Sequence, residues 1–187
     1  MYLLSPLRWS PNSVIGIAMF GLALAACSTP NEGAALTSPT VVEIIDGDTL
    51  VIDFEGHVET VRLLGVDTPE TVDPNRPVQC FGAEASQFLE DSLPPGTPVD
   101  VVRDIEARDR FGRLLVYLSR TDDGTFVNAE LLRGGYGDIA IYAPNTAYRE
   151  QLEHALATAR TSNAGLWGAC GGADVALDPP PAAELVG

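Results

Sequence analysis

The feature that most constrains the fold is a series of three short β-type segments early in the chain, separated by tight-turn signals. Each segment is rich in β-branched and aliphatic residues, and the two turns contain Asp46-Gly47-Asp48 and Glu55-Gly56. Asp-Gly between apolar runs is a strong hairpin signal, because Gly accepts the positive φ that such turns need. The pattern therefore predicts a three-stranded antiparallel meander. Its strands are expected at residues 41–45, 49–54 and 57–64.

The rest of the chain adds two more strand-like segments and three helical ones. The strand-like segments are residues 97–104 and 113–118. The helical segments are residues 82–93, 126–134 and 146–161. Five strands, with helices inserted late, favour a small closed barrel over a parallel βαβ sheet. We predict an α+β, mainly β domain: a five-stranded OB-fold barrel with three helices.

The N-terminal segment resembles an export signal. Arg8 precedes the apolar run VIGIAMFGLALAA, residues 14–26, which is shorter than the roughly 20 residues that a membrane-spanning helix needs. The run continues into LAACS, residues 24–28, which resembles the bacterial lipobox, in which the cysteine carries the lipid. The alternative is an ordinary cleavage site with an accidental cysteine. We expect a signal peptide over residues 1–26, lipidation of Cys27, a tether over residues 27–40 and an extracytoplasmic, membrane-anchored protein.

The remaining cysteines suggest a disulfide. With Cys27 lipidated, Cys80 and Cys170 are left, and an isolated pair in an oxidising compartment most often forms a bridge. A catalytic thiol is the alternative, but neither of the two histidines lies near a cysteine in the sequence. We place the folded domain at residues 41–170 and expect the Pro- and Gly-rich residues 171–187 to form a disordered tail.

Carboxylates are the strongest candidates for chemistry, because the chain lacks G-x-S-x-G, H-E-x-x-H, C-x-x-C and a Gly-rich phosphate loop. Asp46 and Asp48 lie in the first turn, and Asp67 and Glu70 follow the third predicted strand. The meander would bring these two groups together. Oxygen ligands suit a hard cation such as Ca²⁺ or Mg²⁺, and the extended residue before a proline, Thr68, offers its carbonyl. Both segments also suit plain turns.

Arginine is the second candidate group. All eleven basic residues are Arg, and four of them lie within residues 103–113, among acidic neighbours that suggest ion pairs. Arg62 lies among apolar residues, where an unpaired charge is costly, so it needs an anionic partner. Guanidinium also binds phosphate in a bidentate way. The net charge of −15 argues against a broad basic surface for nucleic acid.

Six motifs together resemble the staphylococcal (micrococcal) nuclease or thermonuclease-like family. They are IDGDT, VRLLGVDTPE, FGAEA, DRFGR, NAELLRGGY and GLW, in the family's order, across residues 41–168. The resemblance implies an OB-fold barrel with three helices. It also implies a Ca²⁺-dependent endonuclease, a phosphodiesterase that cleaves DNA and RNA to products with a 3′-phosphate.

The resemblance assigns roles to the carboxylates. Asp48 and Asp67 match calcium ligands, and the Thr68 backbone carbonyl matches a further ligand. Asp46 matches a carboxylate that lies near the metal without binding it. Glu70 matches the residue that activates or orients the attacking water.

The resemblance also implies how substrate is held. Arg62 and Arg113 match the two arginines that hold the scissile phosphate, and we expect Arg110 to contact substrate beside them. Phe111 replaces a family Tyr whose hydroxyl reaches a phosphate, so that contact is lost while ring stacking is retained. Tyr142 is the nearest match to a second pocket Tyr, in a segment about one residue shorter than its counterpart.

Two other functions are compatible with an OB-fold lipoprotein. One is a catalytically silent OB-fold lipoprotein that binds nucleic acid or protein, and the other is a scaffold that binds Ca²⁺ for stability. Silent copies should have lost metal carboxylates or arginines, and here the full set is present. We therefore expect an active enzyme, monomeric, with DNA and RNA as substrates. The acidic charge further predicts weak DNA binding without metal.

Overall fold

The computed structural model describes residues 38–71 and 77–177. The predicted signal peptide, the lipidation site Cys27, most of the tether and the last ten residues of the predicted tail lie outside these ranges. Those assignments stay predictions. Within the described ranges, no helix combines the length and the apolar character that crossing a membrane requires.

Seven strands and four helices occur along the described residues. In chain order they are β1 (Thr40–Ile44), β2 (Thr49–Phe54), β3 (His57–Leu63), β4 (Gly65–Asp67), α1 (Gly82–Ser92), β5 (Val99–Val102), β6 (Leu114–Arg120), α2 (Val127–Arg133), β7 (Asp138–Ala140), α3 (Arg149–Ser162) and α4 (Leu166–Ala169).

The main sheet has five strands in the order β1-β2-β3-β6-β5. All neighbours are antiparallel except β3 and β6, which are parallel. The two outer strands also approach each other, since Val41 N–H donates to the Thr97 carbonyl at 3.0 Å and Val99 N–H donates to the Pro39 carbonyl at 2.9 Å. The result is a curled mixed sheet with three main helices. This confirms the predicted five-stranded OB-type fold.

The second turn of the meander forms for the reason its sequence indicates. Glu55 and Gly56 have φ values of 56° and 92°, and a two-residue hairpin that matches the strand twist needs positive φ at both positions. The Asp53 carboxylate accepts the Gly56 N–H at 2.6 Å. Phe54 and His57 pair directly across the turn, so the register of β2 and β3 is fixed at this end.

One buried polar side chain, Asn128 on α2, ties the sheet to the helices. It is fully buried, and its amide oxygen accepts the Leu118 N–H at 2.9 Å. Its amide nitrogen donates to the Leu64 carbonyl at 2.9 Å. Leu118 lies on β6 and Leu64 lies between β3 and β4, so a single side chain joins three parts of the core.

We expect Asn128→Ala to lower the free energy of unfolding by about 2–3 kcal/mol, because it removes the acceptor of the buried Leu118 N–H and the donor to the partly buried Leu64 carbonyl. Urea denaturation followed by circular dichroism measures the change. The control is Gln87→Ala, which removes an amide from an exposed position on α1 and should change stability by less than about 0.5 kcal/mol. Equal effects of the two substitutions would contradict this role for Asn128.

The sequence did not predict three short elements, which are β4, β7 and α4. β4 and β7 pair as a separate antiparallel ribbon, in which Asp67 lies opposite Asp138. The sequence suggested that the third strand continues to residue 64, but β3 ends at Leu63 and the chain turns at Gly65, with a φ of 76°. This break changes the direction of the chain before Asp67.

Cys80 and Cys170 form a disulfide, with their Cα atoms 6.1 Å apart. The ordered chain continues beyond the domain end placed at Cys170. Cys80 N–H donates to the Val175 carbonyl at 2.7 Å, and Leu177 N–H donates to the Val78 carbonyl at 2.9 Å. Residues 171–177, here called the C-terminal strap, therefore pack along the segment before α1.

Candidate active site

The turn between β1 and β2 places the first two carboxylates. Asp46 Oδ1 accepts the Asp48 N–H at 3.0 Å, which closes the turn from within. Gly47 does not adopt the positive φ expected from the sequence. Its role is steric instead, since a Cβ atom there would lie 2.7 Å from Thr68 Oγ1. The glycine lets the turn pack against the segment that carries the other candidate residues.

Asp48 is the buried carboxylate of the site, with 6% of its surface exposed. Its Oδ2 lies 2.9 Å from Arg62 Nη2 and accepts the Thr68 N–H at 3.1 Å, while its Oδ1 accepts the Thr49 hydroxyl at 3.0 Å. Burial raises the pKa of Asp48 to about 6 despite Arg62, and the negative charge of Asp46 adds to the rise. A nearby positive charge therefore favours the ionised form of this carboxylate.

Arg62 holds the end of β3 and the start of β4 together. Its Nη1 donates to the carbonyls of Leu63 and Val66, both at 2.7 Å. Its Nη2 reaches Asp67 Oδ1 at 3.1 Å as well as Asp48 Oδ2. The anionic partners that the sequence required for Arg62 are thus the two predicted calcium ligands.

Glu70 lies at the end of the same segment and is held through its backbone. Its N–H donates to Gln79 Oε1 at 2.7 Å, and its carbonyl accepts the Gln79 N–H at 2.9 Å. The Glu70 carboxylate accepts the Thr71 N–H at 2.9 Å. Sequence reasoning missed Gln79, because a single glutamine before a cysteine carries no recognisable signal.

Arg113 reaches the site from the loop before β6. Its Nε donates to Asp109 Oδ2 at 2.7 Å, and its N–H donates to Asp109 Oδ1 at 3.0 Å. Although burial works to raise it, the pKa of Asp109 is held below its usual value by hydrogen bonds from Arg113 and the Phe111 N–H. Arg113 Nη1 lies 3.4 Å from Thr49 Oγ1, beside Asp48. Asp109, also missed from sequence, thus orients Arg113 toward the carboxylates.

These residues line one cleft, here called the carboxylate cleft, with a volume of about 320 Å³. It gathers every predicted metal and catalytic residue in one place. Its lining is Asp46, Asp48, Arg62, Asp67, Thr68, Pro69, Glu70, Arg110, Phe111 and Arg113.

A second depression, here called the side groove, adjoins the first and has a volume of about 490 Å³. The two share Arg62, Arg110, Phe111 and Arg113. Tyr142 lines only the side groove, so the structure places it away from the carboxylates. The side groove is where apolar surface from the sheet meets the shared arginines.

Two aromatic rings stand exposed around these depressions. Phe111 is 70% exposed, with Arg110 Cζ 4.7 Å and Arg113 Cζ 5.5 Å from its ring centroid. Tyr142 is 78% exposed. Exposed rings beside guanidinium groups offer flat surfaces for stacking next to an anion-binding position.

The donor chemistry of the carboxylate cleft fits a hard cation. Within the described ranges, no three His, Cys, Asp or Glu side chains are already gathered closely enough to hold a metal. Asp48 and Asp67 instead converge on Arg62 Nη2. The acidic side chains that line the cleft offer only oxygen, which Ca²⁺ prefers, and the buried Asp48 would be stabilised by a cation.

Comparison with known proteins gives consistent matches. The family model described as staphylococcal nuclease homologue matches residues 60–169. A thermonuclease of Staphylococcus hyicus is 34% identical over 159 residues, covering 82% of this chain and 92% of the relative. A thermonuclease of Staphylococcus intermedius is 41% identical over 127 residues, which cover 68% of this chain and 74% of the relative. Endonuclease YncB of Bacillus subtilis is 36% identical over 137 residues, which cover 73% of this chain and 64% of the relative.

Proposed function

Because this chain belongs to the staphylococcal nuclease family and is a phosphodiester-hydrolysing nuclease, we propose that its carboxylate cleft cleaves DNA and RNA with the help of Ca²⁺. One observation carries the proposal. Asp48 and Asp67, two arginines and Glu70 line a single cleft, although they come from four separate parts of the chain. That combination provides a cation site, two phosphate-binding groups and a base within one small volume.

Asp48 and Asp67 would hold Ca²⁺, together with the Thr68 carbonyl. Asp46 supports this set through its hydrogen bond to the Asp48 N–H, which fixes the turn. When bound, Ca²⁺ supplies positive charge that offsets negative charge on the phosphate and makes water easier to deprotonate. Calcium accepts irregular oxygen ligand sets, which suits a site that two carboxylates and one backbone carbonyl would form.

The arginines hold the phosphate and stabilise charge as it builds. A phosphodiester already carries a negative charge, and attack by water adds more, so guanidinium donors fixed in advance lower the barrier. Asp109 fixes Arg113 through two hydrogen bonds, and the carbonyls of Leu63 and Val66 fix Arg62. Arg113 therefore needs little reorganisation when the substrate arrives, whereas Arg62 Nη2 would exchange its contacts with Asp48 and Asp67 for the phosphate.

Glu70 accepts the proton of the attacking water or orients that water. The water oxygen bonds to phosphorus, the bond between phosphorus and the 5′ oxygen breaks, and the 5′ oxygen takes up a proton. The products are a 3′-phosphate end and a 5′-hydroxyl end. Phe111 stacks on a base next to the scissile phosphate, with no hydroxyl to contact the backbone, and Tyr142 offers a second ring for a base in the side groove.

The N-terminal sequence supports action outside the cytoplasm. The apolar run that ends at residue 26 and the lipobox-like LAACS support an exported protein anchored through lipid on Cys27. The disulfide between Cys80 and Cys170 suits an oxidising compartment. We propose that the enzyme acts there as a monomer.

Mapping the ends of the products tests the proposal. The purified protein, incubated with Ca²⁺ and a single-stranded DNA oligonucleotide, should yield 5′-hydroxyl ends that polynucleotide kinase labels directly. The 3′ ends should accept nucleotides from terminal transferase only after phosphatase treatment. Products with 5′-phosphate ends would contradict the proposed bond cleavage. Binding of the oligonucleotide without cleavage would favour the silent binding module.

A further inference from the structure

Gln79 connects the carboxylate cleft to the C-terminal strap. It is 7% exposed and makes two hydrogen bonds with the Glu70 backbone. Gln79 Oε1 accepts the Glu70 N–H at 2.7 Å, and the Gln79 N–H donates to the Glu70 carbonyl at 2.9 Å. On its other side, Gln79 Nε2 donates to Asp174 Oδ1 at 3.2 Å. The side chain therefore bridges a residue of the cleft and a residue 95 positions later in the chain.

The strap also holds the backbone around Gln79 in place. Gln79 pairs with Ala176 as an antiparallel bridge, and Cys80 N–H donates to the Val175 carbonyl at 2.7 Å. The disulfide from Cys80 to Cys170 anchors the start of the strap. Gln79 is thus fixed by its backbone and by its side chain.

The Glu70 backbone is also confined at the start of α1. A Cβ atom at Gly82 would lie 2.9 Å from the Pro69 carbonyl oxygen and 3.4 Å from the Glu70 carbonyl oxygen. The first turn of α1 therefore approaches the peptide that carries Glu70 as closely as a glycine allows. Gln79 on one side and Gly82 on the other leave this peptide little freedom.

We propose that Gln79 is a positioning residue for the nuclease reaction: it sets the backbone of Glu70, and the C-terminal strap, through Asp174, sets Gln79. The inference rests on the role proposed for Glu70. A misplacement of about 1 Å in a reacting group can lower a rate by about 100-fold, so two hydrogen bonds to the Glu70 backbone are enough to matter.

Gln79→Met tests this inference, because methionine has a similar length and no strong hydrogen-bonding group. It should lower kcat by about 10-fold to 100-fold. The KM for DNA and the Ca²⁺ concentration for half-maximal rate should change by less than about 2-fold, since no substrate or metal contact is removed. Gln87→Met, at an exposed position on α1, is the matched control. It should leave kcat, KM and the half-maximal Ca²⁺ concentration unchanged.

The anchor on the strap gives a rescue test. Asp174→Ala removes the acceptor for Gln79 Nε2 and should lower kcat by about 3-fold to 10-fold. Asp174→Asn keeps an oxygen at the same place and tolerates the φ of 58° found there, so it should keep wild-type kcat. Equal losses in the two variants would overturn the link through the strap.

Two further measurements separate positioning from general weakening of the fold. In a Glu70→Gln background, Gln79→Met should cause no further loss of kcat, because its effect acts through Glu70. The Glu70 amide should exchange slowly with solvent in the wild type and rapidly in Gln79→Met, as measured by NMR. Additive losses or unchanged exchange would overturn the inference and leave the nuclease proposal standing. Wild-type protein that fails to cleave DNA with Ca²⁺ would overturn the proposed function, while the exchange result still decides whether Gln79 holds Glu70.

Discussion

Asp48→Asn should lower kcat/KM for DNA cleavage by about 1,000-fold or more. The substitution keeps the size of the side chain and one acceptor oxygen, which can still accept the Thr68 N–H, while the new amide group can donate to the Thr49 hydroxyl, so the turn should keep its shape. It removes the negative charge from the most buried carboxylate of the cleft. Metal charge stabilisation is worth several kcal/mol, and about 1.4 kcal/mol corresponds to tenfold in rate. Initial rates on single-stranded DNA across a range of Ca²⁺ concentrations measure the loss, which raised Ca²⁺ should not restore.

Asp46→Asn is the matched control, two residues away in the same turn. In the proposed site Asp46 acts through its hydrogen bond with the Asp48 N–H and not as a ligand, and an asparagine oxygen can still accept that hydrogen bond. Changes to groups that support a metal ligand typically cost about 10-fold to 100-fold. This smaller loss should recover as Ca²⁺ is raised. Equal effects of the two substitutions would contradict the distinction between Asp48 and Asp46.

Arg113→Ala should lower kcat for DNA cleavage by about 100-fold to 1,000-fold, the range found when one fixed donor to a developing negative charge is removed. Arg113 is fixed in advance by Asp109 and lies beside Thr49, next to Asp48. Arg113→Lys should also lose most of the rate, since lysine keeps the charge but not the planar fork that binds phosphate. Single-turnover kinetics with saturating enzyme measures the chemical step directly.

Arg120→Ala is the control for Arg113→Ala. Arg113 directly precedes β6 and Arg120 is its last residue. Their side chains are equally exposed, at 30% for Arg113 and 29% for Arg120. Arg120 pairs with Asp122 and Asp123, away from the cleft, in an exposed contact of the kind worth at most about 1 kcal/mol. Its loss should change kcat by less than about 2-fold. Comparable losses at the two positions would show that Arg113 acts only through charge or folding.

The fold could be predicted from sequence where local chemistry and packing agree. The β2 segment is rich in β-branched and aliphatic residues, lies between two turn signals, and occurs at the predicted residues Thr49–Phe54. Glu55-Gly56 adopts the positive φ values that its hairpin needs. The three main helices start and end within a few residues of the predicted positions. In these segments the periodicity of apolar residues is long enough to decide the structure.

Contacts between distant segments could not be predicted in this way. β4 has three residues, too few to show a period, and it forms only because β7 pairs with it. The sequence predicts Gly47 as a turn former that needs a positive φ, yet the constraint on it comes from Thr68, 21 positions later. Neither signal is local, so neither is visible in one sequence.

The candidate site divides in the same way. Asp48, Asp67, Glu70 and the two main arginines could be picked out, because carboxylates and guanidinium groups are chemically distinctive and the family motifs contain them. The supporting residues could not, since Asp109 resembles any acidic residue of an ion-paired loop and Gln79 resembles any polar residue before a helix. Their roles depend on partners brought together by the fold.

The dependence of the cleavage rate on free Ca²⁺ tests the central claim most directly. The rate on single-stranded DNA would be measured with wild-type protein and with Asp48→Asn, in buffers that set free Ca²⁺ from chelated to millimolar levels. We expect a saturable rise from no detectable cleavage for the wild type, and negligible cleavage throughout for Asp48→Asn. Wild-type cleavage that is undiminished in chelator, or a Ca²⁺ response that is unchanged in Asp48→Asn, would contradict a calcium-dependent nuclease site in the carboxylate cleft.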